Sequence, residues 1–179
     1  MLITPQDLAP SNPSLSPDST VIATLKAKGA IILGKTRSPK LDMYKRECQS
    51  AYVLADDPSG FSVGSAVATS SGFSAATLGH DTYGSCIIPA GRNDLFAIKP
   101  CRGLVSRTGA HACSEGLDTI LLLTKSAYDT ALLLGLTAGT DIDDPLCKRP
   151  CVRSMRRMTV NLRINSPMCS QPGECNQGR

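Results

Sequence analysis

One stretch limits what this chain can become more than any other: Asp56 to Cys101, which carries two polar, glycine-containing loops in quick succession. The first (Ser59, Gly60, Ser62, Gly64, Ser65) runs into a small-residue segment, Ala66 to Ser71, that reads as a helix. The second, Gly79-His80-Asp81-Thr82-Tyr83-Gly84-Ser85, runs into the apolar Cys86-Ile87-Ile88-Pro89-Ala90. Such loops bring backbone N–H groups and hydroxyls together at a helix start, where the dipole favours negative charge. Two of them meeting at one place suit an oxyanion hole beside a serine nucleophile.

The same residues resemble the amidase signature family, serine hydrolases that cleave carboxamide C–N bonds, and its fungal-type members in particular. The family's Gly-Ser-Ser-Ser-Gly-Ser-Ala string corresponds to Gly60-Phe61-Ser62-Val63-Gly64-Ser65-Ala66, and its Gly-Gly-Ser-Ile-Arg-Ile-Pro string to Tyr83-Gly84-Ser85-Cys86-Ile87-Ile88-Pro89. Gly72, Leu78, Gly79 and Asp81 keep step between them, without a gap. Further likeness lies in Gly29-Ala30-Ile31-Ile32-Leu33-Gly34-Lys35-Thr36-Arg37 and in Gly103-Leu104-Val105-Ser106-Arg107. It runs from about Thr20 to Pro145, interrupted between Tyr44 and Cys48, where Lys45-Arg46-Glu47 stands for a longer connector and a deletion is expected.

The resemblance implies roles. The nucleophile maps to Ser85, the oxyanion-hole N–H groups to Thr82, Tyr83, Gly84 and Ser85, and a neighbouring loop serine to Ser62. The serine that bridges nucleophile and catalytic lysine, held in the family on a cis peptide, maps to Phe61, which can neither accept nor donate the proton. The catalytic lysine itself belongs to an upstream Val-Lys-Asp-like string that nothing before Asp18 matches. Lys35 is instead read as a solvated lysine at a strand end. A serine hydroxyl titrates far above neutrality and needs a base to attack. The expectation is therefore an amidase-type site that keeps its nucleophile and loses its proton relay. Tyr83, where the family has Gly, also crowds a loop that must approach substrate.

The 179 residues suit one ordinary domain. The family's catalytic domain is far longer, so the expected fold is an α/β fragment, a mixed sheet covered by helices, incomplete at both ends. Residues 1–17 read as an irregular Pro- and Ser-rich leader, 18–145 as the partial domain and 146–179 as a basic, Cys-containing tail without helical or strand periodicity, expected to be disordered. The charge is divided along the same line: residues 1–146 carry 12 Lys/Arg and 14 Asp/Glu, residues 147–179 carry 7 and 1. The net charge of +4 thus belongs to the tail and says nothing about the main body's partners.

Local signals supply the elements. Asp18 or Ser19 starts a helix with Val21, Ile22 and Leu25 on one face and Gly29 as its stop; Ala30 to Leu33 reads as a buried strand; Leu95 to Ile98 as a core strand closed by Lys99-Pro100. Ser126 and Asp129 form a capping box for a helix through Thr137, and Asp141 to Pro145 reads as a linker.

Other chemistries fit less well. Gly60-Phe61-Ser62-Val63-Gly64 has the form of an α/β-hydrolase nucleophile elbow, with Asp81 and His111 in the right order for an esterase. An elbow needs a strand directly before it, and Asp56-Asp57-Pro58-Ser59 reads as a turn. His80 and His111 are read as loop residues without a ligand role. A zinc site from Cys147, Cys151, Cys169 and Cys175 departs from the usual spacing in its second pair, so no metal is expected. Cys48, Cys86, Cys101 and Cys113 read as small buried or free thiols. No cofactor is implied. The arginines of the tail lack a recognisable nucleic-acid module, and no run approaches the roughly 20 apolar residues of a membrane span. The expected setting is the cytosol, the partner a small amide substrate, and a non-catalytic remnant or binding protein is the other reading. Open sheet edges would favour homo-association.

Overall fold

The computed structural model describes residues 17–38, 48–53, 55 and 57–147. Helix α1 (Thr20–Ala27) starts where the sequence predicts: the Ser19 hydroxyl accepts from Ile22 N, and Val21, Ile22 and Leu25 are buried. It ends in a turn in which Gly29, at φ +88°, lets Ala30 N reach back to Leu25 O. Helix α2 (Val63–Ser70) follows the first glycine loop, strand β1 (Ala76–Asp81) leads to the second, and helix α3 (Ile87–Arg92) follows that. Strand β2 (Phe96–Ala97), strand β3 (Thr119–Thr124) and helix α4 (Ala127–Thr137) complete the described elements. The capping box of α4 is present: Ser126 Oγ accepts from Asp129 N and donates to Asp129 Oδ2.

The three strands pair antiparallel in the order β1-β3-β2, giving an α/β fold. β3 lies in the middle, and all six of its residues are buried. Its side chains alternate between two layers. Ile120 packs with Val21, Leu25, Val105 and Leu134 on the α1/α4 side; Leu121 and Leu123 pack with Ala66, Cys86 and Ala90 on the α2/α3 side. Each such buried aliphatic contributes about 1.5–3 kcal/mol. A strand covered on both faces reads as a continuous apolar run, without the alternation of a half-exposed strand.

Several expectations change. Ala30 to Leu33 is not a strand and not buried: Ile31 is 85% and Leu33 74% exposed. Both edges of β3 are taken, and the chain instead runs toward the start of α2, where the Arg37 carbonyl lies so near Gly64 that any Cβ there would collide with it. Leu95 to Ile98 supplies only the two-residue edge strand β2, with Phe96 half exposed. Gly79, His80 and Asp81 belong to β1, so His80 is a strand residue and the second loop proper begins at Thr82. Asp141 to Pro145 is no slack linker. Asp144 receives Arg107 through both carboxylate oxygens, and Asp141 accepts from Ser106 and Thr20. The sites of the suspected deletion, the leader and most of the tail, with Cys151, Cys169 and Cys175, lie outside the described residues. Among the described residues, no helix is long and apolar enough to cross a membrane and no group of side chains could hold a metal.

Candidate active site

The first glycine loop is turned by local bonds. Asp57 Oδ1 accepts from Ser59 N at 2.9 Å, and Ser59 and Gly60 both take left-handed backbone conformations, φ +57° and +74°. A Cβ on Gly60 would stand 2.9 Å from Ser85 O and 2.7 Å from the Pro89 ring, so only glycine fits. This reversal brings Ser62 N to Ser85 O, 3.0 Å away, and joins the two loops.

The hydroxyls beyond it stitch α2 to β1. Ser62 Oγ donates to His80 O at 3.1 Å and accepts from His80 N at 3.2 Å, while Ser65 Oγ donates to Leu78 O at 2.7 Å. Leu78 and His80 are edge residues of the sheet, and these serines occupy the polar groups that would otherwise recruit another strand. Ser62 also fits an elbow nucleophile poorly, because its oxygen is engaged with His80 and no strand precedes it among the described residues.

The second loop is built on Asp81, fully buried at the end of β1. Oδ1 accepts from Gly84 N at 3.0 Å and Lys99 Nζ at 2.6 Å; Oδ2 accepts from Cys86 N at 2.8 Å and Ile87 N at 3.1 Å. Burial alone would raise the Asp81 pKa. Lys99 and the three N–H groups outweigh burial and hold it below the usual carboxylate value. The Gly84 N–H is thereby engaged, whereas those of Tyr83 and Ser85 meet no acceptor among the described residues. Beside it, Asp118 receives Thr82 Oγ1 at 2.6 Å and the N–H groups of Cys113 and Ser114, with His80 Nε2 at 3.5 Å. Burial lowers the His80 pKa despite that carboxylate, so the imidazole is neutral near pH 7.

Ser85 lies half-buried in the wall of a cleft of about 980 Å³ shared with Phe61, Tyr83, His80 and His111. No described side chain is hydrogen-bonded to its hydroxyl. Phe61 is tied through its carbonyl to Ser38 Oγ and offers only a ring to the cleft. Lys35 is exposed on the same cleft. The structure places Ser85, Ser62, Phe61, Thr82 and Tyr83 on one cleft, with Gly84 in the same loop. Sequence reading missed Lys99 and Asp118. Asp81, an acid six residues before the first residue of α3, left a local trace; the bond that ties Asp118 to the site left none, since Thr82 stands 36 residues away.

Comparisons with known proteins give the family and the fold. A family model described as "Amidase" matches residues 9–166, more than the stretch of motif likeness. A glutamyl-tRNA(Gln) amidotransferase subunit from Lactobacillus delbrueckii is 41% identical over 134 residues, covering 71% of this chain and 28% of that protein. A fungal relative from Arthroderma benhamiae is 36% identical over 141 residues. Among solved structures, the peptide amidase of Stenotrophomonas maltophilia superposes with a TM-score of 0.69 at 30% identity, covering 80% of this chain and 32% of that one. The corresponding amidotransferase subunit of Thermotoga maritima gives 0.67 at 34% identity, with 74% and 31% covered. The chain spans about a third or less of the length of these relatives. With both loops joined at Ser85 and the match extending over most of its length, the chain belongs to the amidase family.

Proposed function

We propose that this protein carries an amidase-type acyl-transfer site in which Ser85 is the nucleophile and the N–H groups of the Thr82–Ser85 loop form the oxyanion hole, but in which turnover is impaired. The observation that carries this reading is the pairing of Ser62 N with Ser85 O, which seats the nucleophile against the loop bearing Phe61. At the position where the family places its bridging serine, this chain has a phenyl ring. No described amine or imidazole bonds the Ser85 hydroxyl in its stead. A serine at neutral pH without a proton acceptor attacks slowly, and loss of such partners costs about 10³–10⁶ in rate elsewhere. Tyr83 and Ser85 supply the unengaged donors; Gly84 N serves the loop's own shape. The substrate class is a small carboxamide, no cofactor takes part, and the free thiols at Cys86, Cys101, Cys113 and Cys147 agree with a reducing, cytosolic setting.

The test is prolonged exposure of the purified protein to a fluorophosphonate, followed by peptide mapping. The reading predicts slow modification at Ser85, none at Ser62, and none in Ser85→Ala. Modification at Ser62, or an unmodified Ser85 in the folded protein, overturns it.

A further inference from the structure

Lys99 lies two residues past strand β2 on an exposed stretch, where lysine side chains ordinarily move freely in water. Here it is fixed. Its Nζ lies 2.6 Å from Asp81 Oδ1, 2.7 Å from Thr82 O and 3.4 Å from Asp81 O. An ammonium has three donors, and three acceptors of the same short segment lie within their reach. The sheet explains how this is reached. β1 and β2 run in the same direction on opposite edges of β3; β1 ends at Asp81 opposite Thr119, the first residue of β3, whereas β2 ends at Ala97 opposite Leu123, and the chain past Ala97 carries Lys99 to the end of β1. Thr119, the first residue of β3, adds its hydroxyl to Asp81 O at 3.4 Å.

The carboxylate it meets is saturated. Four donors fill the acceptor sites of Asp81: Lys99 and Gly84 on one oxygen, Cys86 and Ile87 on the other. A fully buried carboxylate is costly unless paired, and Lys99 is the one cation bonded to it among the described residues. The arrangement cannot make Lys99 a base for Ser85, since its protons are committed and its charge is held by a carboxylate. It can hold backbone. The donors that Asp81 collects flank Ser85 on both sides, at Gly84 and at Cys86, and the Thr82 carbonyl that Lys99 draws away is the one preceding Tyr83 N.

We infer that Lys99 is a positioning residue of this site: through Asp81 and the Thr82 carbonyl it sets the backbone of residues 82–86, and so the direction of the Tyr83 and Ser85 N–H groups. This rests on the proposed acyl-transfer role of Ser85, because preorganised donors matter only where negative charge develops.

Two readouts on Lys99→Met and Lys99→Arg keep that dependence separable. Hydrogen exchange followed by mass spectrometry needs no chemistry at Ser85. In Lys99→Met, the Asp81-bonded amides of Gly84, Cys86 and Ile87 exchange at least about tenfold faster while those of β3 keep their wild-type rate, and Lys99→Arg returns these three to within about threefold of wild type. Fluorophosphonate labelling of Ser85 slows about tenfold or more in Lys99→Met and recovers in Lys99→Arg. Unchanged exchange at Gly84, Cys86 and Ile87, or equal acceleration in β3, overturns the positioning role. A wild-type protein whose Ser85 never reacts overturns the acyl-transfer reading instead, and the exchange result still decides whether Lys99 sets the loop.

Discussion

The two loops that meet at Ser85 are supported in different ways. The Thr82–Ile87 loop is organised around a buried charge, the Asp81 carboxylate with four donors. The Asp57–Ser62 loop is organised by neutral bonds and by glycine: Ser59 N on Asp57, Ser62 on the His80 backbone, and Gly60 in a left-handed turn. The first keeps every group its shape needs. The second has its turn set by Asp57 and Gly60 and carries a phenyl ring at position 61. On the proposed reading, a loop can hold its shape without the side chain that would give it a chemical use, because the hydrogen bonds that shape a loop and the hydroxyl that moves a proton belong to different atoms.

The largest effect that would sharpen this contrast comes from Asp81→Ala. It strands Lys99 and three N–H groups and is expected to cost about 3–5 kcal/mol in urea unfolding. On the other loop, Ser62→Ala leaves the His80 N–H and carbonyl without their partner and is expected to cost about 1–3 kcal/mol. Equal losses would erase the distinction between charged and neutral support.

Acid should separate the loops next. The folded Asp81 has a pKa below its unfolded value, so it contributes stability above the ordinary carboxylate range near about 4, and that contribution is lost as pH falls through the lower folded value. Asp141, held at about 2 against its burial by Ser106, the Asp143 N–H and Thr20, loses its contribution between roughly pH 4 and 2. Melting temperature followed from pH 6 to 2 should therefore fall in wild type, and the acid-dependent part should shrink in Asp81→Asn. An unaltered slope would remove the charge from the account. The smallest effect belongs to Phe61→Ser. A hydroxyl restored without a bonded base should raise the labelling rate of Ser85 by less than about tenfold, below the 10²–10⁴ of a working acid–base relay. A larger gain would reveal a base within reach.

Much of this was legible in the residues. Ser19 and Ser126 are visible as caps because a cap is local, and the glycine loops are visible because only certain residue types allow the turn and close approach. Thr119–Thr124 escaped notice because a central strand buried on both faces shows no period of two. Ala30–Leu33 misled for the complementary reason: apolar content favours burial, but a strand forms only where a neighbour offers a free edge. The Asp81–Lys99 and Asp118–Thr82 bonds join residues 18 and 36 positions apart, a distance at which sequence carries no pairing signal without the sheet.

The most direct measurement is hydrolysis of an activated aryl amide by purified protein, with Ser85→Ala as the baseline. The account predicts rates that cannot be told apart. Steady turnover by the wild type that disappears in Ser85→Ala would contradict it.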